Sequence, residues 1–415
     1  MKLSEELVAR GFIHQHTGES VADIFDGEKR TIYHGIDPSA DSAHAGNMVI
    51  WIVLRHLVNN GHKVIFLVGG GTGMIGDPKP DSERVLQDVS VTDANVEKIK
   101  TQAQKLIGGD AATITFVNNK DWLAKEGLLT FLRDIGKHFT VNELIKKDAI
   151  AKRLQGDTGI SYTEFAYPLL QAYDYLVLHR EQGCTVQVGG SDQWGNIVSG
   201  VDLIRRKEQQ VVHAVTVPLV VDKATGKKFG KSVGNAVWLD AAKTTPYQLY
   251  QFWLNTSDES VIDYLKRFTF LSLDEIAALS ALHTSNPAER VAQKRLASEV
   301  VGFVHGKMVV STIEKITDVL FGTTSLRDLT PEDITELQAE APVITVASGM
   351  SLIEVLLTAE FATSKREARE FIEAGAISIN DRAVTDVDAV VKAGEWGTLA
   401  ILRRGKKLRA FIAIS

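Results

Sequence analysis

The chain has 415 residues, 46 Lys and Arg against 52 Asp and Glu for a formal charge of -6, and 44% hydrophobic against 24% charged residues. That length predicts several domains and that balance a folded chain, which excludes a mainly disordered or collagen-like protein and one that coats nucleic acid over its whole surface. A single cysteine, Cys184, excludes an internal disulfide and points to a reducing, cytosolic compartment, and the sequence shows neither an apolar run long enough to span a membrane nor a secretory leader.

In chain order, Thr31 to Gly35 reads as a strand, Asp37 and Pro38 as a turn, and Met48 to Val58 as a helix stopped at Gly61. Lys63 to Val68 follows as a second strand and feeds Gly69, Gly70 and Gly71, so a right-handed strand–helix–strand unit opens a doubly wound parallel sheet. Further strands are expected at Thr113 to Val117, Thr185 to Val188 and His213 to Val221, and helices at Leu128 to Ile135 and Tyr162 to Tyr173. The fold class is therefore α/β, a doubly wound, Rossmann-like parallel sheet over residues 1–222 with a helical insertion at about 127–159. An all-helical domain is expected at 223–325, a polar linker at 326–348 and a small α+β domain at 349–415. In that tail, helices are predicted at Leu352 to Thr358 and Lys365 to Ala374, and strands at Ala376 to Ile379, Thr398 to Arg403 and Arg409 to Ile414.

Several motifs offer chemistry. Gly71, Gly73 and Gly76 fit the dinucleotide spacing G-x-G-x-x-G, but Pro78 and Pro80 stand where that fingerprint needs a helix. Gly230, Lys231 and Ser232 end like a phosphate-binding loop, yet position 225, where that loop needs glycine, holds threonine. What remains is a loop with Lys227, Lys228, Lys231 and Ser232, a charged turn or a polyphosphate clamp. His44, Gly46 and Asn47 open a helix, where backbone N–H groups suit a phosphate; Ser39 and Asp41 serve equally well as caps.

Taken together, Tyr33-His34-Gly35-Ile36-Asp37-Pro38-Ser39 leading into His44-Ala45-Gly46-Asn47, with Lys228-Phe229-Gly230-Lys231-Ser232 downstream, resemble the two signatures of class I aminoacyl-tRNA synthetases, most closely the bacterial-type tyrosyl-tRNA synthetases. The resemblance continues through Tyr167, Gln171 and Asp174, through Gln187 and Gly189-Gly190-Ser191-Asp192-Gln193-Trp194-Gly195-Asn196, and into a tail module of the S-four RNA-binding type. Asn47 stands where the family often has histidine, and the short loop at Pro78 to Arg84 departs from its usual form.

The resemblance implies a tyrosine–tRNA ligase that activates L-tyrosine with ATP, releases pyrophosphate and transfers tyrosine to tRNA(Tyr). ATP is the substrate, Mg2+ travels with it, and no tightly bound cofactor is expected. Carried over residue by residue, catalysis falls to Ser39, His44, Asn47, Lys228, Lys231 and Ser232, and ATP binding to His34, Gly35, Asp37, Gly46, Arg84, Gly190 and Asp192. Tyrosine falls to Tyr33, Asp77, Tyr167, Gln171, Asp174 and Gln193. Contacts with tRNA are expected from Lys152, Arg153, Arg205, Arg206, Lys365, Arg369, Arg404, Lys406 and Lys407, chiefly through phosphates. A cytoplasmic homodimer with no membrane partner is implied, with Leu128 to Ile135 a candidate dimer surface. The alternatives are a tryptophanyl-tRNA synthetase, a non-catalytic binder of structured RNA and, on the three glycines alone, an NAD-dependent oxidoreductase.

Overall fold

The structure is a computed structural model and describes residues 1–79, 82, 87–156, 159–221, 231–232, 235–321, 326–340, 343–405 and 408–415. Two compact units emerge, residues 1–244 with 253–296, and residues 245–252 with 297–415.

In the first unit a six-stranded sheet is built from β1 (Gln15–His16), β2 (Thr31–Ile36), β3 (Lys63–Val68), β4 (Ile114–Asn118), β5 (Cys184–Gly190) and β6 (His213–Val217). Its spatial order is β1-β6-β5-β2-β3-β4, with β1 antiparallel at one edge and the other five strands parallel. β3, read from the sequence as a continuous apolar run, is buried from Val64 to Val68, as a central parallel strand covered on both faces should be. The helix that follows β2, Ala45–Asn59, buries Met48, Trp51, Ile52 and Leu54 against the sheet, and Trp51 meets Phe66 of β3 edge to face at 5.8 Å between ring centres. Gly61, at φ +83°, lets the chain turn back into β3.

The expected parallel sheet is present, with differences that have local causes. The last strand stops at Val217, since Pro218 has no N–H for the ladder. A helix not anticipated from the sequence runs Val89–Ile107; the Asp88 carboxylate caps its start by accepting from Ser90 N at 2.8 Å. The insertion is helical, with Leu128–Asp134, Val141–Leu144 and Asp148–Gln155. Helices also fill Pro246–Leu254, Val261–Phe268, Leu273–Ser285, Val291–His305 and Lys307–Phe321, and the division between units falls inside this helical stretch.

The stretch expected to be a polar linker is a correction. It holds a helix, Pro331–Glu340, and a strand, Val343–Val346, that pairs parallel with the final strand Leu408–Ile414. Val346 is buried in the tail core beside Ile412 and Ile414, so this strand belongs to the small domain. The predicted tail helices and strands are found as Leu352–Thr358, Lys365–Glu373, Ile377–Ile379 and Leu399–Arg404, while the short strands Met350–Ser351, Arg382–Ala383 and Val390–Val391 and the helix Ala393–Trp396 were not predicted.

A tail fragment of residues 331–415 should therefore melt higher than one of 349–415, which exposes an unpaired edge and loses Val346 from the core. The loss of one buried valine and its ladder predicts a difference on the order of 10 °C by thermal denaturation followed by circular dichroism.

Candidate active site

Strand order reverses between β2 and β5, and in an open parallel sheet the crevice beyond the carboxyl ends at such a reversal is where ligands bind. β2 delivers Asp37 there, β3 delivers Gly69 to Asp77, β4 delivers Asn119, and β5 delivers Gly190 to Gln193. The backbone packs too tightly at these ends for side chains: a Cβ on Gly69 would stand 2.3 Å from Asp37 Oδ1, and one on Gly190 would stand 2.5 Å from Asp192 Oδ1. The three spaced glycines lead into a short turn of helix, Thr72–Met74, and the next long helix starts only at Val89, so the dinucleotide fingerprint lacks its helix N-terminus.

At the floor of the crevice lies a hydrogen-bonded chain of buried groups. Asp174, on the helix Tyr162–Gln182, accepts from Asn119 Nδ2 at 2.9 Å and from Trp122 Nε1 at 2.7 Å. Asn119 Nδ2 also donates to Thr72 Oγ1 at 2.9 Å, and Thr72 Oγ1 donates to Asp37 Oδ1 at 2.8 Å. Tyr167 OH donates to the other oxygen of Asp37 at 2.8 Å. Burial pushes the Asp174 carboxyl up to about 7 against the pull of its two donors, with the Asp37 charge adding to the rise. Tyr33 is fully buried, its phenol pushed far above the ordinary range by burial and then by the Asp174 charge. Tyr167 is raised in the same way, by burial and then by Asp37.

A second carboxylate, Asp77, is fixed from β5's end, accepting from Gln193 Nε2 at 2.7 Å and from Asn196 Nδ2 at 3.0 Å. His34 is buried with Nδ1 3.0 Å from Val188 O, and burial lowers it to about 4, so its ring is neutral. Gln171 is half-buried one turn before Asp174 on the same helix, and Asp192 is exposed at the rim.

The first signature sits at a helix start. Asn47 Oδ1 accepts from His44 N at 3.0 Å, reciprocating as a cap. Residues that follow the downstream signature pair directly with it: Ala45 N donates to Val237 O at 2.8 Å, Leu239 N to Ala43 O at 2.9 Å, and Trp238 lies 6.3 Å from the His44 ring. Lys243 completes this staple by bridging to Asp41 at 2.6 Å. Ser39 is exposed beside it, and Gly35 and Gly46 are half-buried.

Lys231 and Ser232 form a short strand paired with Asn235–Ala236, while Lys228, Arg84, Lys406 and Lys407 lie outside the described residues. Of the cations expected to face RNA, Lys152, Arg205, Lys365 and Arg369 are exposed. Arg206 is exposed and donates to His138 O, and Arg404 stacks over Phe371 at 4.5 Å. Arg153 is a correction: it is 2% exposed and its guanidinium is bound to Glu164 inside the protein, so it presents no charge to a nucleic acid. Thr72, Asn119 and Trp122 were not anticipated; the only sequence signal is that Thr72 and Asn119 stand just past β3 and β4, at the same edge of the sheet as the other site residues. Among the described residues there is no group of three or more His, Cys, Asp or Glu placed to hold a metal ion.

Comparison with known proteins follows this geometry. A family described as tRNA synthetases class I (W and Y) matches residues 26–322, and one described as a tyrosine–tRNA ligase SYY-like C-terminal domain matches residues 333–412. The chain is 46% identical over 417 residues to a tyrosine–tRNA ligase of Streptococcus mutans, covering 98% of each. It is 47% identical over 413 residues to one of Staphylococcus haemolyticus, covering 98% of this chain and 97% of the relative. Among solved structures, a C-terminally truncated mitochondrial tyrosyl-tRNA synthetase of Aspergillus nidulans superposes with a TM-score of 0.67 at 33% identity, covering 76% of this chain and 92% of that one. A tyrosyl-tRNA synthetase of Archaeoglobus fulgidus in complex with L-tyrosine shares the fold, with a TM-score of 0.54 at 17% identity, covering 76% and 99%.

The raised Asp174 carboxyl has a consequence for stability. A carboxyl raised in the folded state binds more protons there than in the unfolded chain, so its stabilisation is full below the ordinary aspartate range near pH 4 and is lost as pH rises through about 7. Relative to Asp174→Asn, the parent should lose melting temperature as pH rises from about 4 to about 7, on top of the opposite slope from buried histidines such as His34, which both proteins share; parallel curves contradict the assignment.

Proposed function

The chain belongs to the class I tRNA synthetases of the tryptophan and tyrosine type, and from that premise we propose that it activates L-tyrosine with ATP and joins it to tRNA(Tyr). It is a tyrosine–tRNA ligase: its full-length relatives carry that activity, and its tail matches the C-terminal domain of such ligases. The observation that carries the choice of tyrosine over tryptophan is the buried pair of Tyr33 and Asp174 at the crevice floor. A phenol hydroxyl there donates to the Asp174 carboxylate and accepts from Tyr33, whereas phenylalanine supplies neither bond, leaving a buried charge with only its two neutral donors, and is rejected on that account.

At the other end of the bound amino acid, Asp77, Tyr167 and Gln171 receive the ammonium, and Gln193 orients Asp77. The substrate carboxylate then attacks the α-phosphorus of ATP in line; a P–O bond forms to the tyrosine carboxylate and the bond to pyrophosphate breaks. No protein nucleophile takes part, so the residues act by positioning and by charge. His34, Gly35, Asp37, Gly46, Gly190 and Asp192 hold the nucleotide, with Gly190 leaving room for its backbone approach. Ser39, His44 and Asn47 at the helix start receive the phosphates, and Lys228, Lys231 and Ser232 close over the leaving pyrophosphate. Mg2+ accompanies the ATP phosphates.

Transfer to tRNA(Tyr) uses the exposed cations Lys152, Arg205 and Arg206 in the first unit and Lys365 and Arg369 in the second, together with the half-buried Arg404 of that second unit. A homodimer is supported by the face of the helical insertion, where Leu128, Leu129 and Val141 are 72%, 81% and 62% exposed and Leu132 adds to the apolar surface. The cytoplasm, where tRNA and ATP are present and a lone buried Cys184 stays reduced, is the compartment this reading requires.

The direct test is exchange of labelled pyrophosphate into ATP without tRNA, which tyrosine should support and tryptophan and phenylalanine should not; exchange with none of them removes the proposal. Lys231→Ala should lower kcat at nearly unchanged tyrosine KM, and Asp174→Ala should raise tyrosine KM. Tyrosine KM should also rise as pH falls below about 7, where protonation removes the acceptor for the phenol. Leu128→Glu with Leu129→Glu should convert a dimer to a monomer by sedimentation, and an unchanged mass would locate the interface elsewhere.

A further inference from the structure

Arg153, removed from the RNA-facing set, has five hydrogen bonds inside the first unit, and two of them reach the segment that follows Asp77. Its Nη1 and Nη2 donate to the two carboxylate oxygens of Glu164 at 3.2 and 3.0 Å, and both side chains are 2% exposed. Nε donates to Gly159 O at 2.8 Å, and Nη1 donates further to Lys79 O at 3.2 Å and Ser82 O at 2.7 Å. Glu164 lies in the first turn of the helix that carries Tyr167, Gln171 and Asp174. The segment after β3 is thus held from two sides, at Asp77 by Gln193 and Asn196 and at Lys79 and Ser82 by Arg153.

A buried ion pair is by itself weak support for a stabilising role, since a well-packed apolar pair often serves as well. The loop carbonyls change the argument. An apolar pair leaves the oxygens of Lys79 and Ser82 without these donors, and a lysine, with all its donors on one nitrogen, cannot fork between a carboxylate and carbonyls on three other sides. The geometry points to Arg153 as a positioning residue for the amino-acid substrate: it sets the Asp77 loop against the Tyr167 and Asp174 helix, while Glu164 neutralises it. This inference rests on the tyrosine-activation reading above, in which Asp77 meets the substrate ammonium.

The test is tyrosine-dependent pyrophosphate exchange on the full-length chain, with melting temperature measured in parallel. Arg153→Lys keeps a cation beside Glu164 but loses the fork, and should raise tyrosine KM about tenfold or more with kcat changed far less, because a small displacement of a binding group is costly. Glu164→Gln keeps the guanidinium and its loop bonds, and should lower the melting temperature while tyrosine KM stays within about twofold of the parent. Should Arg153→Lys not fold, Arg153→Gln carries the same expectation of a raised KM. Equal tyrosine KM in a folded Arg153 variant and the parent overturns the inference. So does a KM that rises in Glu164→Gln as much as in the Arg153 variant, since it would then follow stability alone. Absence of exchange by the parent chain is a separate result that overturns the tyrosine reading itself, and this inference with it.

Discussion

A carboxyl group buried at the carboxyl edge of a parallel sheet is the constraint around which this site is arranged. Asp174 is held by neutral donors, Asn119 and Trp122, and burial outweighs them, so its charge stays costly until a ligand shares it. The bonds that run on from Asp174 reach several chain segments. Asn119 follows β4, and its amide also serves Thr72 past β3, whose hydroxyl serves Asp37 past β2; Tyr167 closes the chain from the helix that carries Asp174 itself. Displacing any one strand end would strand a buried polar group on its neighbour, so the strand ends are fixed relative to one another. The glycines at 69 and 190 follow from the same crowding, since a Cβ at either would strike a carboxylate oxygen.

The parts that were legible in the sequence are those in which local chemistry and function coincide. β2, β3 and the helix between them were readable because apolar periodicity, a turn and a closing glycine occur in one short stretch. The two signatures and the Gly189 to Asn196 run were readable because they are contiguous in the chain. Asn119 and Trp122 were not, because nothing local separates an asparagine that bonds a buried aspartate from one that ends a strand; only the sheet brings position 119 against position 174. The strand at Val343–Val346 was misread for a related reason: it is four residues long, and its partner lies at the far end of the chain, at Phe411 to Ile414.

The crevice is built of groups that the chain itself satisfies. Asp77 is held by Gln193 and Asn196, and the helix start at His44 is tied to Val237 and Leu239, which follow the second signature. The two signatures are far apart in sequence, yet the backbone bonds at Ala45 and Leu239 join the stem of one to the start of the other. These bonds hold Val237 to Leu239 against the start of the helix Ala45–Asn59, so the conformational entropy of that downstream stem is already spent in the folded chain.

The basic residues show where reading charge from sequence stops. Lys152 and Arg153 are neighbours in one run of cations, and on an α-helix neighbours point about 100° apart, so one can face water while the other faces the core. The structure does this: Lys152 is exposed and Arg153 is buried. What selects the inward position is Glu164, eleven residues on, together with three backbone carbonyls that need donors. Arg10 repeats the device at the N-terminus, buried with Glu6 and donating to the carbonyls of Lys266, Thr269 and Leu271. A buried arginine in this protein joins chain segments through their backbone, a role set by donor geometry that a count of positive charges cannot show.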